Sequence, residues 1–295
     1  MQDLLDRIAA CRTEADHYVV QIHAENHLTP LEAIDLAARA DTLPGTARIW
    51  VERLAEYVRR VRPAPEPYRR RDIAEHVTLY EGEGPAGAPR DLVVGFSGVG
   101  GRLMMPVAPV LQAFPAARCD VLVLSDPARL HFLRGIGDYA ADLEALAMRL
   151  DRDLPLSRYA ALRCFGTSAG GAPALAFGAQ LGARVAISLG GAHPVVLPAA
   201  RTGGDPIDRY AFDRMIAAAP PGRTRMLCIF PEKYKRDGLR TRLQAIGVPG
   251  ARAVAVAGST HHAVIATLFL TDTMVRFFEE MLFSDDPPDG ALWTP

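Results

Sequence analysis

The sequence has few lysines and almost no net charge. Lys233 and Lys235 are the only lysines, and arginine supplies the remaining positive charge. The 33 basic residues nearly balance the 34 acidic ones, which leaves a formal charge of -1. A chain without an excess of either sign lacks the electrostatic attraction that drives binding to nucleic acid or to acidic membranes. The charge balance therefore predicts neither kind of partner.

The sequence also lacks paired cysteines and long apolar runs. Cys11, Cys119, Cys164 and Cys228 form no C-x-x-C motif, which excludes zinc knuckles and thioredoxin-like redox sites. We expect them to be small buried side chains in a reducing compartment. No apolar stretch approaches the roughly 18 residues that span a bilayer, and the N-terminal residues are acidic rather than basic. The sequence thus predicts a cytoplasmic protein without a membrane span.

The chain divides into a helical appendage and one larger domain. Residues 4–22 show helical spacing of apolar side chains, Thr29-Pro30 is typical of a helix start, and 46–61 predicts a third helix. These features assign residues 1–62 to a helical N-terminal appendage. The proline-rich segment 63–75 is predicted to be a linker.

Residues 76–283 alternate short β-rich runs with helical stretches, whereas 284–295 lack periodicity and are expected to be a flexible tail. Strands that alternate with helices form a parallel sheet covered on both faces. We therefore predict an α/β fold with a doubly wound, mostly parallel sheet. The predicted strands have the sequences HVTLYE, DLVVGF, DVLVLS, ALRCFG, RVAISL, RMLCIF and RAVAVAG.

The segment Gly166-Thr167-Ser168-Ala169-Gly170 has the pattern of a nucleophile elbow. It follows the strand-like run ALRCF and precedes the helical stretch GAPALAFGAQL. A serine on so sharp a turn needs small neighbours, and the helix that follows directs free amides at developing negative charge. The pattern predicts that Ser168 is a catalytic nucleophile.

A serine nucleophile needs a base, and the base needs an acid that orients it. In proteins with such an elbow the acid and then the histidine follow the serine along the chain. His261 and His262 follow the last predicted strand, and we favour His261 because it lies at the tip of the loop. Asp237 and Glu232 both follow the strand RMLCIF, and we prefer Asp237 as the acid.

Other residues are candidates for substrate binding. Gly98 and Gly100 lie in the glycine-rich segment after DLVVGF, where backbone can approach a substrate closely. His193 either lines the pocket or caps a turn, in a segment, 193–221, that we expect to form a short cover. Four side chains at strand ends either hold an anionic group of the substrate or are solvated: Arg102, Arg129, His131 and Arg134.

With these motifs in place, residues 76–283 resemble the α/β-hydrolase superfamily, without pointing to a subfamily. The resemblance rests on the order of strands, elbow, acid and histidine. It departs from many members in the loop FSGVGG, which replaces a His-Gly motif. The resemblance implies the following roles: nucleophile Ser168, acid Asp237 or Glu232, base His261 or His262, and oxyanion donors Val99 and Ala169.

Cofactor motifs are incomplete. The segment Gly98-Val99-Gly100-Gly101 lacks the third glycine of G-x-G-x-x-G, because Leu103 occupies that position, and no G-K-[ST] follows. His23 and His27 lie one helical turn apart without forming H-E-x-x-H. We therefore predict neither a cofactor nor a metal.

These inferences predict a serine hydrolase that cleaves an ester or thioester of a small or medium-sized acyl group through an acyl-enzyme. An acyltransferase or an amidase would use the same residues. A non-catalytic binding or scaffold protein with this fold is the alternative from another class. The N-terminal helices are a candidate surface for homo-oligomer formation.

Overall fold

A computed structural model describes residues 1–203, 206–286, 288 and 290–295. Residues 204 and 205 of the predicted cover, and 287 and 289 of the predicted tail, lie outside the described residues. Within the described part of the chain, no helix combines the length and the apolar character that crossing a bilayer requires.

Among the described residues, a mixed sheet of nine strands forms the centre of the molecule, in the order β1-β2-β4-β3-β5-β6-β7-β8-β9. Strands β3 to β9 are parallel, whereas β2 runs antiparallel to both β1 and β4. The predicted doubly wound, mostly parallel sheet is confirmed. The strands are β1 (Tyr68–Ala74), β2 (Val77–Gly82), β3 (Asp91–Phe96), β4 (Cys119–Leu124), β5 (Ala161–Thr167), β6 (Val185–Leu189), β7 (Arg225–Pro231), β8 (Arg252–Val256) and β9 (Leu292–Trp293).

Helices cover both faces of this sheet because its central strands are apolar on both sides. Strands β3, β4 and β6 are buried along their whole length, as parallel strands between two helical layers are. Two separate clusters of apolar side chains fill the faces. The helices after β3 are α5 (Val107–Leu111), α6 (Leu143–Asp153), α7 (Gly171–Leu181), α8 (Ala211–Ala218), α9 (Lys235–Gly247), α10 (Val264–Leu270) and α11 (Met274–Phe278), which continues into a π-helical turn over Glu279–Phe283.

Four helices precede the sheet: α1 (Gln2–Ala10), α2 (Glu14–His27), α3 (Pro30–Ala37) and α4 (Gly45–Val61). The single helix predicted over 4–22 is two helices in the structure. Thr13 accepts a hydrogen bond from Asp16 N–H and starts α2 with a capping box, which separates it from α1. The four helices share an apolar cluster that includes Ala108 of α5 and so joins the appendage to the sheet domain.

Two segments differ from the sequence expectations. Part of the predicted linker 63–75 is β1, whose arginines Arg69 and Arg71 pair with Glu81 on β2. The predicted flexible tail contains β9, where Trp293 is buried and its ring meets that of Phe277 at 5.1 Å. Both segments pair with the sheet, although the proline-rich composition of 63–75 and the aperiodic sequence of 284–295 predict chain that packs against nothing.

Candidate active site

The turn at Ser168 has the strained backbone that a nucleophile elbow requires. Ser168 directly follows β5 and adopts a φ of +52°, in the left-handed region that residues other than glycine rarely occupy. A one-turn 3-10 segment, Ser168–Gly170, then leads into α7. The serine side chain is half-buried at the carboxyl edge of the parallel strands, where open α/β sheets bind ligands.

The flanking glycines are needed for close packing. A Cβ on Gly166 would lie 1.9 Å from the carbonyl oxygen of Gly170, and one on Gly170 would lie 2.3 Å from that of Phe96. Both contacts are with backbone that cannot move away cheaply. The strand, the turn and the start of α7 therefore meet without room for side chains at these two positions.

A histidine and a carboxylate meet two strands away from the elbow. Asp237 lies in the first turn of α9, after β7, and its side chain is 4% exposed. Its Oδ2 lies 2.5 Å from Nδ1 of His262, in the loop after β8. This contact uses Nδ1 and leaves Nε2 as the ring nitrogen available to a substrate or nucleophile.

The sequence preference for His261 is not supported by these contacts. His261 is exposed, whereas the buried carboxylate of Asp237 pairs with His262. Glu232, the alternative acid, accepts a hydrogen bond from Gly258 N–H at 2.8 Å, so it positions the turn that precedes the two histidines. Of the two histidines and two acids, the structure therefore brings His262 and the buried Asp237 together as a pair.

The ring of His262 lies beside the loop after β6. A Cβ on Gly190 would be 3.4 Å from His262 Cε1 and 3.2 Å from the methyl carbon of Met104. Gly190 has a φ of +56° and directly follows the strand next to β5. Ser168 Oγ makes no hydrogen bond with any residue that the structure describes. Hydrogen bonds between a nucleophile and its base often form or shorten only when substrate binds.

The loop after β3 lies against the elbow. A Cβ on Gly98 would lie 3.3 Å from Cβ of Ser168. The amide of Gly98 donates to the carbonyl of Arg102 at 2.9 Å, so it is already used. The amide of Val99 donates to no acceptor among the described residues, and Ala169 is the second residue of the 3-10 turn, where amides have no partner within a helix.

Arg102 serves this loop rather than pointing at a substrate. Its guanidinium forms an ion pair with Glu25 of α2, whose side chain is 8% exposed. Its carbonyl oxygen accepts hydrogen bonds from Gly98 N–H and from Thr167 Oγ1 at 3.2 Å. Arg102 thus connects the appendage, the loop after β3 and the residue before Ser168.

The other predicted binding residues are placed as follows. His193 has both ring nitrogens engaged, with Nε2 2.9 Å from Asp213 and Nδ1 accepting from Val195 N–H.

His131 is buried at a φ of +58°, and burial lowers its pKa to about 4, so it is neutral at pH 7. Arg129 and Gly100 line a cavity beside the loop after β3, and Arg134 lies within the long connection between β4 and α6.

Sequence reasoning missed Glu25, Asp213 and Met104. Glu25 and Asp213 are acidic residues on helices, where carboxylates usually face solvent. Their partners lie 77 and 20 residues away, so no local pattern reveals them. Met104 has a φ of +62°, a feature that only the structure shows.

The described residues contain no group of three or more histidine, cysteine or acidic side chains arranged to hold a metal. His23 and His27 stack with ring centroids 4.2 Å apart. His27 Nδ1 lies 2.7 Å from the carbonyl oxygen of His23.

The strand order, the elbow and the position of the acid and histidine after β7 and β8 agree with the superfamily that the sequence resembles. The fold is of the α/β-hydrolase type. No protein-family model matches the sequence, and no curated protein matches it significantly.

Several solved hydrolase structures are similar to this chain. A dienelactone hydrolase from Anabaena variabilis is 18% identical, with 74% of this chain and 98% of that chain covered and a TM-score of 0.43. The 2,6-dihydroxy-pseudo-oxynicotine hydrolase is 14% identical, with coverage of 97% and 89% and a TM-score of 0.47. The fluorophosphonate-binding serine hydrolase F of Staphylococcus aureus is 14% identical, with coverage of 72% and 99% and a TM-score of 0.48. These values say nothing about the substrate of this chain.

Proposed function

We propose that this protein is a serine hydrolase that cleaves an ester or thioester of a small or medium-sized acyl group. The observation that carries the proposal is the contact between Asp237 and His262, at the same edge of the sheet as the strained serine. A buried carboxylate on Nδ1 fixes the imidazole so that Nε2 can accept a proton, which a serine nucleophile requires.

In the proposed reaction, Ser168 Oγ attacks the carbonyl carbon while His262 Nε2 accepts the hydroxyl proton. The amides of Val99 and Ala169 hold the negative charge on the carbonyl oxygen. His262 then gives the proton to the leaving oxygen or sulfur, and an acyl-enzyme forms on Ser168. Water, deprotonated by the same imidazole, attacks the acyl-enzyme; the acyl C–O bond to Ser168 then breaks, and the imidazolium returns the proton to Oγ as the acid leaves.

Labelling with a fluorophosphonate probe tests the nucleophile. The wild type should react covalently, and the Ser168→Ala variant should not. Labelling that persists in the variant would place the reactive group elsewhere. A wild type that does not label, although it is folded, would favour a non-catalytic protein.

Hydrolysis of p-nitrophenyl acetate tests the base, with the neighbouring histidine as a matched control. His262→Ala should lower kcat by about a thousandfold or more, because it removes the proton acceptor. His261→Ala should change kcat by less than about threefold, since His261 is exposed and lies outside the pair. The opposite ranking would return the role of base to His261.

A further inference from the structure

A cavity of about 370 Å³ lies between α2 and the loops after β3 and β4. Its volume falls at the lower end of the range for small-molecule pockets. One wall is the appendage, with Ile22 and His23. Another is the loop after β3, with Val99 and Gly100, called the oxyanion loop below because Val99 is a proposed oxyanion donor. The cavity is therefore bordered by Val99, whose amide is one of the two proposed donors to the substrate carbonyl.

The position of the cavity along the sheet indicates which half of an ester it would receive. Strand order places β2, β4 and β3 on one side of β5, whereas β7 and β8, which Asp237 and His262 follow along the chain, lie on the other. The leaving group must lie near His262 because that imidazole gives it a proton. The acyl group then extends the opposite way, over β3 and toward the cavity.

The cavity combines apolar walls with free hydrogen-bonding groups. Ile22, Val99 and Pro127 supply apolar surface. Neither ring nitrogen of His23 nor the hydroxyl of Ser125 has a hydrogen-bond partner among the residues that the structure describes. Burial is the main cause that lowers the pKa of His23 to about 4, so its imidazole is neutral and can both donate and accept.

We infer that this cavity is the acyl-binding pocket, that α2 of the appendage forms its outer wall, and that it takes a ring-sized acyl group bearing a hydroxyl. The inference rests on the proposed serine hydrolase activity. A ring would fill the apolar part, and its hydroxyl would bond to His23 or Ser125. Ile22 and His23 are thereby specificity-determining residues, although neither touches the scissile bond.

Three p-nitrophenyl esters test the inference: the acetate, the phenylacetate and the 4-hydroxyphenylacetate. Ile22→Trp fills the cavity and should lower the ratio of kcat/KM for 4-hydroxyphenylacetate over acetate by about twentyfold. Tyr18→Trp, on the solvent side of the same helix and 63% exposed, should leave that ratio within about twofold. A ratio of two rates on one sample cancels any loss of folded protein.

His23→Phe tests the hydroxyl contact. The variant keeps a flat ring on His27 but removes the hydrogen-bonding nitrogens, so the preference for 4-hydroxyphenylacetate over phenylacetate should fall by about five- to tenfold. Unchanged ratios in both Ile22→Trp and His23→Phe, with all esters still hydrolysed, would overturn the pocket and leave the hydrolase function standing.

Saturation-transfer NMR measures the binding of free 4-hydroxyphenylacetate, which does not depend on catalysis. It therefore distinguishes failure of the proposed pocket from failure of the proposed hydrolase activity. If no ester is hydrolysed and Ser168 does not label, the proposed function fails. Binding to the wild type that is lost in Ile22→Trp would even then support the cavity as a binding site. Binding that is absent from the wild type, or equal in both proteins, would count against it.

Discussion

Replacement of Asp237 by asparagine should nearly abolish activity while leaving the fold intact. The side chain is 4% exposed and its Oδ2 lies 2.5 Å from His262 Nδ1. An amide has almost the same shape, so packing around α9 is kept. Its NH2 group would donate to Nδ1, which moves the imidazole proton to Nε2. An Nε2 that carries a proton cannot accept one from Ser168.

The expected loss follows from this change of tautomer. A wrong tautomer in a Ser-His-Asp arrangement costs about 10⁴ in kcat, which corresponds to about 5.5 kcal/mol of activation free energy. We expect Asp237→Asn to lower kcat by about 10³- to 10⁴-fold, with KM within about threefold, because the substrate contacts remain. Steady-state hydrolysis of p-nitrophenyl acetate measures both values.

Glu232→Gln is the matched control for the acid. Glu232 is exposed and accepts a hydrogen bond from Gly258 N–H, which an amide oxygen can also accept. Its kcat should stay within about threefold of the wild type. An Asp237→Asn enzyme with more than about a tenth of wild-type kcat, or a Glu232→Gln enzyme that loses as much as Asp237→Asn, would refute the assignment of the acid.

Three further predictions concern stability, each measured by urea unfolding. Gly166→Ala should lower the free energy of unfolding by about 3 kcal/mol or more, because its Cβ would meet a backbone oxygen at 1.9 Å. The control Gly100→Ala has open space around it and should cost less than about 1 kcal/mol. Equal losses in the two variants would contradict the steric argument. Arg102→Met should cost about 2 kcal/mol, because the buried Glu25 carboxylate loses its ion-pair partner and keeps only the hydrogen bond from Gln21. A second change, Glu25→Leu, should restore most of this loss, and a double variant no better than the single one would argue against the ion pair. Burial lowers the pKa of His131 to about 4, below the value of about 6.5 expected in the unfolded chain, so the unfolded state binds more protons between these values and stability falls as the pH is lowered through this window. His131→Asn, which tolerates the positive φ, should therefore lose about 2 kcal/mol less than the wild type between pH 7.5 and 5, and parallel pH profiles would remove His131 as the cause.

The features that sequence predicts well are local ones. The elbow needs only a strand, five small residues and a helix in immediate succession, and all of them lie within 161–181. The strands β3, β4 and β6 are continuous apolar runs, which identifies them without any knowledge of their neighbours.

The choice between adjacent histidines is not local. His261 and His262 share the same loop, and successive side chains in a loop point in different directions that no periodicity fixes. The decision comes from α9, which begins at Lys235 and turns Asp237 inward toward the loop after β8. A sequence shows that an acid and a histidine follow the serine, but not which of two neighbours the acid meets.

The edge strand β1 cannot be recognised from its composition. Tyr68–Ala74 contains three consecutive arginines after a proline-rich segment, which is typical of an exposed linker. In the structure it is an edge strand, where charged side chains are expected because they discourage further pairing. Its pairing with Val77–Gly82 depends on a chain reversal around His76, whose φ is +67°.

The contacts of the appendage join residues that lie far apart in the sequence, so the sequence alone does not reveal them. These contacts also bear on the proposed function. Glu25 holds Arg102 across 77 residues of sequence, and the carbonyls of Asn26 and His27 accept hydrogen bonds from Tyr80 on β2. Helix α2 is thus tied both to the oxyanion loop and to the sheet beside the cavity. A helix that only offered a surface for self-association would not need a buried carboxylate directed at that loop. The contacts therefore argue that the appendage belongs to the substrate site, because the loop beside Ser168 takes its position from it.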